Sequence, residues 1–364
     1  MELELPVAAP DYPISIDGLA IYILEQQRAS GEIPWYDGYK TDPWDHVESA
    51  IGLTTAGYTH EARKAFNWLA EIQLDDGSWY SAYQDGKVLD DTKESNQSAY
   101  LAVGVFHYWL VTGDKAYVKK IWPHVEAGID YAVNLQGPGG EIYWARNVKG
   151  VLDPMALLTG CSSIYMSLKC ALALADELNL KYPRWRLAKD RLREAIRFRP
   201  QAFNKDKQRY SMDWFYPMLT GALTGAEAHA RFEQYWNKFV VEGLGCRCVS
   251  DNPWITMAES SELVMALNAS GNAELASKVY GWILDKHYED GNYWCGVTFP
   301  DGVVWPDEKD TWTNAAVIMA YDALYQLTPG CQLFRHAYWE PKDSRRKSPA
   351  PIWEPAEYKD AELS

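Results

Sequence analysis

The chain has 364 residues, with an apolar share of 47%, an aromatic share of 14% and a formal net charge of −15. This composition is typical of a globular protein with a large core and excludes an intrinsically disordered chain. The negative charge argues against binding to nucleic acids or anionic membranes, because either surface requires a clustered basic face on the protein.

Helical periodicity predicts twelve helices, and no stretch alternates convincingly as a strand would. The helices form six pairs, in which the first member is charged on one face and the second is apolar nearly all round. A helix without a polar face is buried, so the pattern predicts an all-α (α/α)6 barrel, or toroid, of six outer and six inner helices. The predicted outer helices are 15–30, 60–74, 114–135, 184–203, 226–242 and 272–290. The predicted inner helices are 44–56, 95–111, 162–178, 217–223, 257–270 and 313–327.

Six long loops lead from each outer helix to its inner partner, and each combines tryptophan with carboxylates. Short glycine-containing turns make the return connections, so all six long loops are expected at one end of the toroid. Inner helices begin there, and their first N–H groups are unpaired and carry the positive end of the helix dipole. We therefore predict one polar and aromatic site at that end. The toroid is expected to be a single domain over residues 1–330, followed by a Pro-rich charged extension over 331–364.

Two toroid families share motifs with the chain. The stretch 139–175 resembles the third hairpin of glucoamylase-like glycoside hydrolases within the six-hairpin toroid superfamily. A repeat of Gln, Gly and Trp at the ends of outer helices is similar to the repeat of terpene cyclase and prenyltransferase toroids. The repeated residues are Gln26, Gly31 and Trp35, then Gln73, Gly77 and Trp79, then Gln136, Gly140 and Trp144.

The first resemblance implies a glycoside hydrolase that acts on a small oligosaccharide or glycoconjugate. Hydrolysis of a glycosidic bond needs two carboxylates, one protonated and one ionised, and it needs no metal or cofactor. The family's base comes from the last long loop, which here offers Glu308 and Asp310. Its acid follows the Trp of the third loop, but Ala145 follows Trp144 in this chain. We expect the acid to be Asp153, Glu141 or Glu259, and the toroid resemblance implies inversion of configuration.

Aromatic and charged residues of the long loops are the candidates for binding the sugar. Tryptophan and tyrosine rings stack on the apolar faces of sugars, whereas carboxylates and arginines bind hydroxyl groups. Several of these residues have a structural alternative: Asp42 before Pro43 fits a helix cap, Glu259 fits a capping box, and Glu262 is expected to pair with Arg247 or to face the pocket. The substrate-binding candidates are Trp35, Trp44, Asp45, His46, Trp144, Arg146, Asp213, Trp214, Tyr216, Arg247, Asp251, Trp254, Trp305 and Trp312.

Other functions stay open at this stage. The sequence 88–92 is similar to the proton-donating motif of terpene cyclases, which implies Asp90 as the acid that protonates a polyprenyl substrate. A hydrocarbon pocket should be almost wholly apolar, so the charged loops favour sugars. A non-catalytic sugar-binding protein would explain the missing acid, and a lyase or an epimerase would use His46 as its base.

The location and ligands of the chain are also constrained. The six cysteines show no metal-binding spacing and suit a reducing compartment. No apolar run approaches the roughly 18 residues of a membrane span, and the first 13 residues do not resemble a signal peptide. We predict a cytoplasmic protein without metal, membrane span or nucleic-acid partner.

Overall fold

The computed structural model of the protein describes residues 14–340. Twelve of its helices alternate between an outer and an inner layer, as predicted, and each outer helix with the inner helix that follows it is numbered here as hairpins 1 to 6. The outer helices are α1 Ile16–Gln26, α3 Thr59–Ile72, α5 Lys115–Val133, α7 Pro183–Phe198, α9 Gly225–Phe239 and α11 Ala273–Ile283. The inner helices are α2 Pro43–Thr55, α4 Ser95–Thr112, α6 Leu158–Glu177, α8 Ser211–Leu219, α10 Met257–Ala269 and α12 Thr311–Tyr325.

The inner helices form a closed ring. Each packs against the next, and the last, α12, packs against the first, α2. Every residue of α2 is buried, whereas α3 buries only five of its side chains and exposes a polar face. The (α/α)6 toroid is therefore confirmed, and its core lies within the ring and between the two layers. Helix α6 is long and apolar enough to cross a membrane, but 83% of its apolar window is buried inside this core.

Helix α8 differs from its prediction, which began at Pro217. The structure places Pro217 inside the helix, near its C-terminal end. Proline has no backbone N–H, so the carbonyl oxygen of Asp213 lacks its usual partner four residues along. The Arg231 guanidinium from α9 donates to this oxygen over 2.8 Å and to the carbonyl oxygen of Trp214 over 2.9 Å. A neighbouring helix thus supplies the bonds that allow the proline to lie within α8.

Nine short strands within residues 14–340 were missed by the sequence analysis. They are β1 Ala82–Gln84, β2 Lys87–Asp90, β3 Lys93–Glu94, β4 Ala145–Arg146, β5 Leu152–Asp153, β6 Val240–Val241, β7 Gly245–Arg247, β8 Trp254–Thr256 and β9 Gly296–Thr298. All pair antiparallel, in sheets β1-β2, β3-β4-β5 and β6-β7-β8-β9. Segments of two to four residues are too short to show an alternating pattern. The second sheet joins hairpins 2 and 3 and the third joins hairpins 5 and 6, so the long loops form a connected rim.

The glutamine repeat has a structural role. The Gln73 side chain donates to Gly77 O over 3.0 Å and to His124 O of the next outer helix over 2.9 Å. Gln136 makes the equivalent pair of bonds, and in the first copy Gln27 makes them rather than the predicted Gln26. Gly77 has a φ of +87°, and a Cβ there would lie 2.3 Å from a carbonyl oxygen of α5. The repeat therefore ties neighbouring outer helices together, and only glycine fits its close approach.

Residues 329–340 pack across the end of the ring opposite the long loops. Leu333 and Phe334 are buried, and the Trp339 ring lies 5.2 Å from the Phe106 ring of α4. Helix α13, His336–Trp339, belongs to this segment. The rest of the predicted extension, 341–364, lies outside the described residues, so the boundary at 330 stays a prediction.

Candidate active site

A cavity of about 360 Å³ opens at the end of the ring where the inner helices begin. The loops of hairpins 1 and 2 and the first turns of α2, α4, α8 and α12 form its wall. Its lining is polar and aromatic, with four carboxylates and a single lysine. The lining residues are Trp35, Lys40, Asp42, Trp44, Asp45, Ser81, Ala82, Asp90, Glu94, Gln97, Met212 and Trp312.

The beginning of α2 places two aspartates in the cavity. Asp42 caps the helix, because its Oδ1 accepts from Asp45 N over 2.9 Å and Pro43 occupies the first helical position. Its Oδ2 accepts from Trp35 Nε1 over 2.9 Å, so Asp42 also fixes the Trp35 ring. The Lys40 ammonium lies 3.9 Å from this oxygen and 4.1 Å from the centre of the Trp35 ring.

Asp45 is suited to carry a proton. Its side chain is almost fully buried but lines the cavity. Burial raises the pKa of the Asp45 carboxyl well above its usual range, and the neighbouring charges of Asp42 and Glu48 add to the effect. A carboxyl with a raised pKa keeps its proton to higher pH, as a general acid requires.

Glu48 lies one helical turn deeper than Asp45, and its carboxylate accepts three hydrogen bonds. Its Oε1 accepts from Trp44 Nε1 over 2.9 Å and from the Tyr100 hydroxyl over 2.7 Å. Trp312 Nε1 donates to its other oxygen. Burial raises the pKa of Glu48 to about 7, although these donors oppose the shift. Glu48 thus positions Trp44 and Trp312, two rings of the cavity wall.

Helix α10 carries a second pair of buried carboxylates, Glu259 and Glu262, one helical turn apart near its start. Glu262, one turn inside, accepts a hydrogen bond from the Tyr216 hydroxyl, and burial together with the Glu48 charge raises its pKa. The structure thus pairs Glu262 with Tyr216 rather than with Arg247. Glu259 lies in the first turn, is buried, and its Oε2 atom meets no hydrogen-bond donor among the described residues.

The two acidic residues predicted on the last loop are arranged differently from each other. Asp310 caps α12: its oxygens accept from Thr313 N over 2.6 Å and from Thr313 Oγ1 over 3.0 Å. Burial raises its pKa to about 6, and the charges of Glu308 and Glu259 contribute. Glu308 is half-buried beside the Tyr36 hydroxyl. The charges of Glu308, Asp310 and Glu259 interact at the end of the ring where the inner helices begin. Neither Glu308 nor Asp310 lines the cavity.

Trp144 of the third loop contacts the cavity wall through Glu94, a residue that the sequence analysis did not predict. Trp144 Nε1 donates over 2.9 Å to Glu94, a cavity-lining carboxylate that also accepts from Ser81 Oγ over 3.0 Å. Burial raises the pKa of Glu94. Trp144 therefore supports the wall from behind, and Ala145, which follows it, is buried in strand β4.

The two acid candidates of the third loop do not line the cavity. Asp153 lies opposite Ala145 in the β4-β5 pair, and its carboxylate accepts from Met155 N over 2.9 Å. Glu141 folds back against its own turn, where a Cβ on Gly139 would lie 2.3 Å from Glu141 Oε2. Arg146 lies in β4 opposite Lys93, near the Tyr131 hydroxyl.

Four of the predicted substrate-binding residues do not line the cavity: His46, Asp213, Trp214 and Asp251. His46 is fixed between backbone groups, accepting from Ile33 N over 3.1 Å and donating to Ala65 O over 2.9 Å, and burial lowers its pKa. Trp214 of the inner helix α8 points away from the cavity and packs against the outer helix α9, with its ring stacked 5.3 Å from that of Phe239. Asp213 accepts from Thr159 of α6, and Asp251 is exposed and paired with Arg209.

Of the remaining predicted residues, Arg247 and Trp254 belong to the third sheet and Trp305 lies in the loop after β9. Trp254 Nε1 donates to Trp305 O over 2.6 Å, and the two rings lie 5.2 Å apart. Arg247 donates to Ser250 O over 2.9 Å and lies 5.0 Å from the centre of the Phe299 ring. These residues form the part of the rim contributed by hairpins 5 and 6.

Sequence analysis missed Lys40, Glu48 and Glu94. Glu48 could have been found, because a carboxylate on an apolar inner helix costs several kcal/mol unless it is paired. Lys40 and Glu94 carry no comparable pattern, since they lie in loops where charged residues are common. Among residues 14–340, no group of three or more histidine, cysteine or acidic side chains is placed to hold a metal ion.

No protein-family model matches the chain. It is similar to the MMP endo-(1,4)-3-O-methyl-alpha-D-mannosidase of Mycolicibacterium hassiacum, with 49% identity over 313 residues, which cover 86% of this chain and 87% of the relative. A solved glycosidase in complex with glucose has a TM-score of 0.64 at 13% identity, over 86% of this chain and 96% of that one. The GH63 mannosylglycerate hydrolase of Thermus thermophilus, in complex with Tris and D-glycerate, also scores 0.64, at 10% identity over 84% and 99%.

At such low identities the solved structures show the fold alone. All three of these similarities are to glycosidases, which agrees with the resemblance to glycoside hydrolases seen in the sequence. They give no support to the resemblance to terpene cyclases. Asp90, the acid implied by that resemblance, is exposed on β2 and accepts from Thr92 N over 2.9 Å.

Proposed function

We propose that this chain cleaves internal 1,4 bonds between α-linked 3-O-methylmannose units. The chain belongs to the family of the MMP endo-(1,4)-3-O-methyl-α-D-mannosidase of Mycolicibacterium hassiacum and is a glycoside hydrolase. The identity of 49% over most of both chains carries this proposal. The cavity supports it, because indole rings suit the apolar faces and methyl groups of such a sugar. Lys40, Asp42 and Gln97 supply polar partners for the free hydroxyl groups.

Asp45 is the proposed general acid. Its proton passes to the glycosidic oxygen as the bond between this oxygen and the anomeric carbon breaks. The protonated state is favoured before substrate binds, because Asp45 is buried beside Asp42 and Glu48. Glu48 is a weaker candidate, since three donors already occupy its two oxygens.

Glu259 is the proposed general base. In this role it removes a proton from the water whose oxygen attacks the anomeric carbon. Support comes from its buried Oε2 atom, which meets no hydrogen-bond donor among the described residues, although Glu259 itself lies outside the lining of the cavity. Among the carboxylates expected from sequence, Asp310 is less suited because both its oxygens bind Thr313. Glu259 begins α10 and Asp45 begins α2, with α12 between these two helices in the ring. The proposed acid and base thus come from two inner helices that are separated by one other, and an inverting reaction needs them on opposite faces of the sugar.

Three further properties belong to the same proposal. The enzyme inverts the anomeric configuration, an expectation that rests on its toroid resemblance. It works in the cytoplasm, which six unpaired cysteines support. It uses no cofactor, because acid and base suffice for this reaction.

The test is digestion of 3-O-methylated α-1,4-mannooligosaccharides, with products identified by mass spectrometry and the first anomer by NMR. Internal cleavage by the wild-type protein, and loss of cleavage in Asp45→Asn and Glu259→Gln, are the expected results. Unmethylated α-1,4-mannooligosaccharides serve as the matched substrates. A protein that binds the methylated chain without cleaving it would be a sugar-binding protein, and the proposal would be rejected.

A further inference from the structure

An exposed aromatic surface lies on the rim beside the cavity. The Trp305 side chain is 56% exposed and the nearby Val303 is 53% exposed. Large apolar side chains are costly to leave in water, and a rigid, exposed indole next to a polar cavity is typical of a ligand-binding surface. Neither residue lines the cavity itself.

This surface is held rigidly. Strand β9 pairs with β8, and the loop after β9 returns so that Val303 O accepts from Thr298 N over 2.8 Å. Trp305 N donates to Gly296 O over 2.9 Å, while Trp305 O accepts from Trp254 Nε1 over 2.6 Å. The Trp305 backbone is therefore bonded on both sides, and its ring meets the Trp254 ring at 72°. A preorganised ring loses little entropy when a ligand stacks on it.

The loop that carries Trp305 also contacts the loop of hairpin 1 beside the cavity. Glu308 follows Trp305 by three residues and lies beside the Tyr36 hydroxyl. Thr311 N donates to Trp35 O over 2.8 Å, and Trp35 lines the cavity. The rim from Trp305 to Trp35 is therefore one connected surface, formed by the loops of hairpins 6 and 1.

We propose that Trp254 and Trp305 form a binding subsite for sugar units of the substrate chain that lie outside the cavity. This inference rests on the proposed function, because only a polymeric substrate reaches from the cavity to the rim. The exposed indole face of Trp305 stacks on a sugar ring, and Val303 contacts its methyl group. Binding there adds affinity for long chains and leaves the reacting units in the cavity unchanged.

The experiment compares kcat/KM for short and long 3-O-methylated α-1,4-mannooligosaccharides in the wild-type protein and in Trp305→Ala. The substitution should lower the preference for long chains about two- to tenfold, as expected for the loss of one aromatic contact. Activity on the shortest substrate should be unchanged. Trp305→Tyr should restore most of the preference, because it keeps an aromatic face.

Phe198→Ala is the matched control, since Phe198 is 61% exposed at the end of the outer helix α7 in hairpin 4, outside the loops of hairpins 5 and 6 that carry Trp254 and Trp305. This control should leave the chain-length preference unchanged. If the wild type cleaves these substrates but Trp305→Ala keeps its full preference, the subsite is wrong and the proposed function stands. If the wild type cleaves none of them, the proposed function fails. The subsite is then tested separately by binding: equal affinity of the wild type and Trp305→Ala for the longest chain would overturn it.

Discussion

The two ends of the toroid both bury ionisable groups, but they leave very different space around them. At the loop end, burial raises the pKa of Asp45 and Glu48 around a cavity of about 360 Å³. At the opposite, closed end, burial lowers the pKa of His107 to about 3 and of Lys169 to about 7, and the space is about 20 Å³. That volume holds about one water molecule.

This difference shows that a shifted pKa does not by itself identify an active site. Lys169 donates to Thr220 O over 2.9 Å and lies 4.5 Å from the Trp339 ring, so the closed end is filled by its own side chains. The loop end leaves rings and carboxylates facing space that a sugar can enter. Access distinguishes the two ends, because a general acid must contact its substrate.

The largest expected effect comes from replacing a buried aspartate at the loop end, with the same replacement at the closed end as its control. Asp45→Asn should lower kcat about 10²- to 10⁴-fold, because it removes the proposed acid. Asp322 is the matched residue at the closed end, with a pKa raised by burial to about 6 and oxygens that bind Thr328 N and Oγ1. Asp322→Asn should change kcat by no more than roughly threefold and cost about 1–3 kcal/mol of stability.

Kinetics on the methylated substrate and urea unfolding measure the two effects. If folded Asp322→Asn lost activity as severely as Asp45→Asn, the distinction between the ends would be wrong. In the wild type, activity should also fall as the pH rises through the raised pKa of Asp45, because the acid then loses its proton. That decline should be absent from the residual activity of Asp45→Asn.

The second effect is the pH dependence of stability, which should have opposite signs for Glu48 at the loop end and Lys169 at the closed end. The folded state holds the Glu48 proton more tightly than the unfolded chain, so this contribution is complete below about pH 4.5 and is lost as the pH rises through about 7. Lys169 has a lowered pKa, so its contribution is complete above about pH 10.5 and is lost as the pH falls through about 7. Each group changes the free energy of unfolding by up to about 1.4 kcal/mol per pH unit.

Urea unfolding at a series of pH values measures both contributions. Glu48→Gln should flatten the decline in stability below pH 7, and Lys169→Met should flatten the rise above pH 7. Each variant is the control for the other. Equal pH profiles in the wild type and both variants would show that these two groups are not shifted as the structure indicates.

The smallest effect is expected at Asp251, which sequence analysis placed among the substrate-binding candidates. It is exposed and paired with exposed Arg209, and surface ion pairs contribute little. Asp251→Asn should leave kcat/KM within about twofold of the wild type and the melting temperature unchanged. A large loss of activity would place the substrate on this part of the rim and would require the proposed subsite to be redrawn.

Much of the fold could be predicted from the sequence because its pattern is local. Charged and apolar helices alternate along the chain, and this order specified the layers and the end where the long loops lie. Membership of a glycoside hydrolase family confirms the predicted class of reaction. Pro217 misled the prediction of α8, because Arg231 compensates for the missing hydrogen bond across helices.

The sequence by itself determined the helical pairing, the single polar end and the kind of chemistry available there. Only the tertiary structure decided which carboxylates line the cavity and which are held by donors. Asp310 and Glu259 both lie at the start of an inner helix and outside the cavity lining, but Asp310 is held through both its oxygens by Thr313, whereas Glu259 Oε2 meets no donor within residues 14–340. Whether a carboxylate caps a helix, supports a ring or faces a cavity depends on donors from distant segments, and their positions are fixed only when the ring closes.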